Sequence, residues 1–214
     1  MDQSLAALVI HDLKNSLALL EAELEILARQ PNIPDEAHKA HQRCADLKQR
    51  LVGFLTLYKQ EQGALQPNRS ETELAEFLED VLAASPSANC KHGHALDVRI
   101  DSARIRCAPE VQHRGTALLD EYLVELALES ALNNALRFAA SKVQLWFEQT
   151  ADAVSFCVQD DGPGLSHHPA GMPPSTGVGL ALCRAVIEAH GGGEVTLRDA
   201  PQGGALFRLT LHCA

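Results

Sequence analysis

The feature that most constrains this chain is a seam of apolar residues near its start, recurring at alternating steps of four and three. Ala6, Ile10, Leu13, Leu17, Leu20, Leu24 and Leu27 fall on one face of a helix. The segment QPNIPD follows, and Pro31 and Pro34 within it break the helix. From about Asp35 the same spacing resumes through Ala37, Ala40, Cys44, Leu47, Leu51, Phe54 and Tyr58. Two such helices joined by a short turn predict an antiparallel hairpin. One hairpin cannot cover its own seam well, whereas two can as a four-helix bundle. Residues 1–62 are therefore expected to form a homodimer, the alternative being a monomer whose hairpin packs on the rest of the chain.

The pattern changes near residue 63. GALQPNR reads as a linker, and residues 63–70 are assigned to it. Ser70 and Glu73 have the spacing of a capping box ahead of a helix over ETELAEFLEDVLAA. ALDVRI and ARIRCA are short strand candidates. The stretch TALLDEYLVELALESALNNALRFAA reads as one long apolar helix. KVQLWFEQ and AVSFCVQD alternate as strands around a tight turn at TAD, and GLALCRAVIEAHGG is a helix closed by Gly191. EVTLRD and ALFRLTLH are the last strands. Residues 71–214 thus predict an α+β domain, with long helices on one face of a mainly antiparallel sheet.

Bulk properties exclude several classes. The net charge is -10 with a pI near 5.4, which argues against nucleic acid or an anionic membrane as the main partner. The sequence has no run of about eighteen apolar residues and no signal-peptide pattern, so a cytoplasmic location is expected, as a short soluble protein or as part of a longer sensor. The six cysteines are scattered without CxxC pairs, as expected of reduced thiols. His38 with His41, and His92 with His94, lack the thiol or carboxylate company of a metal site.

Four short stretches carry chemistry. In HDLKN, His11 lies one position off the seam, Asp12 is its neighbour and Asn15 is one turn on. A carboxylate bonded to one imidazole nitrogen leaves the other as a nucleophile; the bland reading is a surface histidine beside two polar residues. In ALNNALRF, Asn134 and Arg137 share a face of an apolar helix, suited to an oxygen-seeking cation and a phosphate, or to an amide satisfied by neighbouring backbone. In VQDDGPGL, Asp160 ends a strand and Gly162 and Gly164 turn the chain; a ligand amine or a plain turn fits that pattern. In STGVGLAL, Gly177 and Gly179 lead into a helix whose free N–H groups attract phosphate.

Taken in this order, the four resemble the core of two-component sensor histidine kinases. HDLKN resembles the phosphoacceptor H-box, NNALRF the N-box, DDGPGL the G1 box and STGVGLAL the G2 box, and GGALFRLTL is similar to the final strand of the same catalytic domain. The resemblance covers nearly the whole chain. It implies a dimerisation and histidine phosphotransfer hairpin followed by an ATP-binding α/β sandwich of the Bergerat (GHKL) type. It also implies roles. His11 would accept the γ-phosphoryl group of ATP, with Asp12 as its orienting base and Asn15 positioning water for dephosphorylation of a partner aspartyl-phosphate. Asp160 would bind the adenine amine, Asn134 would hold Mg2+ and Arg137 would meet phosphate. Gly162, Gly164, Gly177 and Gly179, with Leu180, would shape the pocket and its lid. The implied partner is a response-regulator receiver domain.

The sequence departs from the family pattern in three places. Ser130 stands where a second N-box asparagine is usual, Ser16 stands where many relatives carry proline, and only SHHPAGMPPST lies between Leu165 and Gly177, a short lid without a phenylalanine. The first expectation is a histidine autokinase, possibly also a phosphatase. The second is a phosphotransfer protein or phosphatase with a degenerate ATP domain. The third is a non-catalytic, ATP-gated binding protein.

Overall fold

The computed structural model describes residues 15–20, 22–24, 26–27, 35–85, 96–111, 113–165 and 177–212. His11, Asp12, the early seam residues Ala6, Ile10 and Leu13, the turn at Pro31 and Pro34, His92, His94 and the lid at 166–176 lie outside the described residues. The chain divides into two compact units, Met1–Gln62 and Gly63–Ala214.

In the first unit the described residues between 15 and 27 are helical (α1), and α2 spans Asp35–Glu61. The Cys44 thiol donates a long bond to the Leu17 carbonyl, 3.7 Å, which ties the two helices together. Buried positions on α2 include Cys44, Val52 and Thr56, at multiples of four, and the Thr56 hydroxyl bonds the Val52 carbonyl. Seam residues Leu47 and Phe54 are more than half exposed, as are Leu19 and Ile26 on α1. Among the described residues of this unit, these apolar side chains therefore stand in water in a single copy.

The second unit begins with a correction. Ser70 opens a strand, β1 (Ser70–Glu73), and does not cap a helix. The strand pairs antiparallel with Thr116–Leu119, β4, which the sequence suggested was the start of a long helix. Leu74 then opens α3 (Leu74–Ala84), and Glu73 itself is its N-cap, accepting from the Glu76 amide at 2.7 Å. The long helix likewise starts later. Asp120 caps α4 (Glu121–Phe138) by accepting from the Leu123 amide. ARIRCA divides into a 3-10 turn at Ser102–Arg104 and the two-residue strand β3 (Arg106–Cys107).

The main sheet has the order β2-β5-β6-β8-β7, with β3 also on β5. Its strands are β2 (Asp97–Ile100), β5 (Lys142–Gln149), β6 (Ala153–Asp160), β7 (Gly193–Asp199) and β8 (Ala205–His212). The β5-β6-β8-β7 run is antiparallel, whereas β2 and β3 run parallel to β5. Alternation decides the layers. Val143, Leu145 and Phe147 on β5 and Val154, Phe156 and Val158 on β6 are buried, and Phe77 of α3 meets Phe156 edge to face at 5.8 Å. Helices α3, α4 and α5 (Val178–Ala189) contact the sheet strands and close this core. On the opposite face Trp146, Cys157, Leu206 and Ala200 form a small cluster with Ile105. The Arg104 guanidinium stacks 4.3 Å from the Trp146 ring, and Arg208 pairs with Glu148 at 2.8 Å. Burial pushes the Cys157 thiol up to about 12, so it stays protonated.

A buried histidine ties the far ends of α4 and α5 together. His190, 2% exposed at the C-cap of α5, accepts the Asp120 N–H at Nε2 (3.0 Å). Its other ring nitrogen must then be the protonated one, and it donates to the Val186 carbonyl at 2.7 Å. The Asp120 carboxylate also accepts the Asn68 amide at 2.7 Å, which fastens the incoming linker to the same junction.

Burial lowers the pKa of His190. Protonation would leave the Asp120 N–H facing a second donor. A depressed folded pKa makes its contribution full above the unfolded value, about 6.5, and progressively lost as pH falls toward the folded one. In urea unfolding followed by Trp146, the only tryptophan, we expect stability to drop between pH 7 and 5.5. His190→Gln should flatten that drop; equal slopes for the two proteins would refute the assignment.

Candidate functional site

The row Val154, Phe156, Val158 continues along β6 to Asp160, which is 6% exposed at the strand end. Asp160 Oδ1 accepts the backbone amides of Gly162 at 2.8 Å and Ala205 at 3.2 Å. Both of these donors reach Oδ1, so Oδ2 is the oxygen suited to accept from a ligand. Burial raises the pKa of Asp160 above the ordinary carboxylate range, and the two amides oppose that rise.

Close backbone approach fixes this strand end. A Cβ on Gly162 would lie 2.3 Å from the Phe138 carbonyl oxygen, at the end of α4. A Cβ on Gly204 would lie 2.0 Å from the Asp160 carbonyl oxygen. Gly164 has a φ of +81°, and a Cβ there would meet Asp199 Oδ1 at 2.5 Å. That same oxygen accepts the Leu165 amide at 2.7 Å. Glycine is required at Gly162 by space, and at Gly164 and Gly204 by both space and backbone conformation.

Asp161, beside Asp160, does a different job. Its Oδ1 accepts the amides of Ala140, Ser141 and Lys142, each at 2.9 Å, and its Oδ2 accepts the Ser141 hydroxyl at 2.6 Å. Burial opposes ionisation, but the Ser141 hydroxyl and the three amides outweigh it and hold the carboxyl below its usual range. Asp161 thus pins the α4–β5 connection against the strand end that carries Asp160. The family resemblance pointed to Asp160 of the two adjacent carboxylates; strand parity is the physical reason their surroundings differ.

On the helix side, Asn134 is exposed on α4, and Arg137 is half-buried with its guanidinium 5.5 Å from the Phe138 ring. Gly177, with φ +72°, is the N-cap of α5. Two residues on, within the first turn, Gly179 packs against α4, where an added Cβ would sit 2.5 Å from Ser130 Oγ and 4.0 Å from Asn134 Nδ2. The amide end of α5 therefore abuts the α4 face that carries Asn134, and Leu180 lies on this first turn with 36% exposure. Ser130, whose significance the sequence gave only as a departure, is the contact that sets this approach. Asn15, exposed on α1, belongs to the other unit.

The geometry is a buried carboxylate, a glycine-lined strand end and a helix N-terminus beside an asparagine. Residues 119–214 match the family of histidine kinase-, DNA gyrase B- and HSP90-like ATPases. The chain is 24% identical over 207 residues to the virulence sensor histidine kinase PhoQ of Salmonella typhimurium, covering 91% of this chain and 40% of that protein. It is 32% identical over 111 residues to the sensor protein KdpD of Escherichia coli, covering 44% of this chain and 12% of that protein.

The chain is homologous to two-component sensor histidine kinases, and its residues 119–214 match an ATPase family named in part for them. It spans well under half the length of these curated relatives. Among solved structures, the fold is similar to that of the Acinetobacter baumannii histidine kinase AdeS, with a TM-score of 0.57, 21% identity and 95% and 98% of the two chains covered. It is also similar to full-length ShkA, solved in complex with AMPPNP, with a TM-score of 0.66, 19% identity and 100% and 47% of the two chains covered.

Two glycines of this kinase homologue separate space from conformation. Gly162→Ala forces a Cβ into the Phe138 carbonyl and should cost about 3 kcal/mol. Gly177→Ala meets no atom of the described residues within 4 Å and pays for its positive φ, about 1 kcal/mol. Urea midpoints read by Trp146 fluorescence check the order; equal losses would refute it.

Proposed function

We propose that this chain is a histidine autokinase that transfers the γ-phosphoryl group of ATP to His11 and then to an aspartate of a response-regulator receiver. The observation that carries the reading is Asp160, a buried carboxylate at a strand end, with one oxygen committed to backbone amides and the other suited to an adenine amine. The family match at residues 119–214 and a structural neighbour solved with AMPPNP support nucleotide binding. The amide end of α5 supplies dipole and N–H donors for the phosphates, and Arg137 supplies charge.

Asn134 is suited to Mg2+. Its carboxamide is exposed beside the α5 N-terminus, and the described residues contain no cluster of three His, Cys, Asp or Glu that would hold a metal unaided. Mg2+ bound by few protein oxygens draws its remaining ligands from phosphates and water, and it neutralises phosphate charge when present. Asp12 would hold one imidazole nitrogen of His11 while the lone pair of the other attacks the γ-phosphorus, breaking the bond to the β-phosphate oxygen and releasing ADP. Positioning and charge compensation account for most of such a barrier. Asn15 would orient water on a receiver aspartyl-phosphate. The half-exposed Leu19, Ile26, Leu47 and Phe54 support pairing of the 1–62 hairpin with a second copy as a four-helix bundle.

Two variants test the assignment. With radiolabelled Mg-ATP, the wild type should gain acid-labile, alkali-stable label and His11→Ala should gain none. Asp160→Asn should keep the fold but weaken nucleotide binding at least tenfold by fluorescence titration, because an amide donor would face the adenine amine. Label that persists in His11→Ala, or unchanged affinity in Asp160→Asn, would overturn the corresponding role.

A further inference from the structure

The last strand in the sheet order, β7, has one long edge to which no described strand is bonded. Its hydrogen-bond parity is fixed at both ends. The His212 amide donates to the Gly192 carbonyl at 3.1 Å, and the Ala200 amide donates to the Gly204 carbonyl at 2.9 Å. Even-numbered residues of β7 therefore exchange bonds with β8, and Gly193, Val195, Leu197 and Asp199 aim their N–H and C=O groups out of the sheet. Leu197 is 44% exposed along this edge. Beside it lies an open groove of about 400 Å³, lined by Ile187 and Arg184 of α5 and by Val195 and Glu194 of β7.

We propose that β7 is a self-association edge, pairing antiparallel with β7 of a second copy about a two-fold axis at Thr196. The argument is the strand's own sequence, GEVTLRD. Outward hydrogen-bonding residues must face one another, and this restricts the register to alignments that set odd positions opposite odd ones. Of these, only the alignment centred on Thr196 pairs all seven residues of the strand. It sets Glu194 opposite the partner's Arg198, Val195 opposite the partner's Leu197 and Gly193 opposite the partner's Asp199, each pair occurring twice. Slipping by two residues loses the charge pairing and sets like against like, Val195 on Val195 or Leu197 on Leu197. The favoured register thus brings opposite charges together on one face of the extended sheet and covers the exposed leucine on the other, beside the groove. This interface is distinct from hairpin pairing through residues 1–62 and does not depend on nucleotide.

In that register Thr196 faces Thr196 as a non-hydrogen-bonded pair, where Cα atoms stand about 4.5 Å apart. That is within the roughly 4.4–6.8 Å a disulfide spans. Full-length Thr196→Cys should therefore form a symmetric disulfide under mild oxidation. Peptide mapping should find the 196–196 link at least fivefold above the 71–71 link of Glu71→Cys, a control on exposed β1. Adding Arg198→Glu should reduce the link about fivefold, and Glu194→Arg on top of it should restore the link. Light scattering reports hairpin pairing separately, and Trp146 fluorescence reports the fold. A folded Thr196→Cys chain that links no better than the control, or a charge swap that restores nothing, overturns the proposal. Those outcomes leave the edge to a strand from a different protein and leave the kinase reading untouched.

Discussion

The organisation of the second unit depends on how closely backbone can approach the end of β6. Two neighbouring segments come within distances that only a glycine hydrogen tolerates: the Phe138 carbonyl against Gly162, and the Asp160 carbonyl against Gly204. No stronger attraction is needed to place Asp160. Once α4 ends on one side and the β7–β8 turn passes on the other, the carboxylate is enclosed, and the amides of Gly162 and Ala205 are the donors that compensate part of its desolvation.

Adjacent carboxylates then diverge for reasons of environment alone. Asp160 inherits the buried parity of Val154, Phe156 and Val158, and its acidity falls. Asp161 points the other way into three amides and a hydroxyl, and its acidity rises. The first is a group with acceptor capacity to spare; the second has spent its capacity on the α4–β5 connection. A recognition group and a structural clamp thus occupy consecutive positions, and the alternation of a strand is what separates their duties.

Much of this was legible beforehand because local signals and tertiary demands agreed. The period-two pattern of KVQLWFEQ and AVSFCVQD, the tight turn between them and the glycine-led helix at Gly177 all express short-range rules. The failures arose where pairing is non-local. TALL is rich in leucine and runs directly into a strong helix, so its periodicity alone favoured continuing that helix. The partner that makes it a strand, Ser70–Glu73, lies more than forty residues away and itself resembled a capping box. The same blindness hid His190, whose role depends on an amide seventy positions earlier. Ser130 was visible as a substitution, but its contact with Gly179 required the packing of two helices.

Those two helices relate the linker to the site. Helix α4 runs eighteen residues from Asp120, where the Asn68 amide is bound, to Phe138, whose carbonyl abuts Gly162. Helix α5 runs from the Gly177 cap to His190. They touch at Ser130 and Gly179 near the candidate phosphate-binding end, and His190 joins them to the linker at the opposite end. A helix of α4's length spans about 27 Å and resists bending over that distance. Sliding α4 along α5 must therefore break the His190 bond at one end and disturb the Gly179 contact at the other, because neither helix can absorb the shift internally. The linker end and the candidate nucleotide end are mechanically one assembly, built from two stiff elements and the few close contacts that hold them in register.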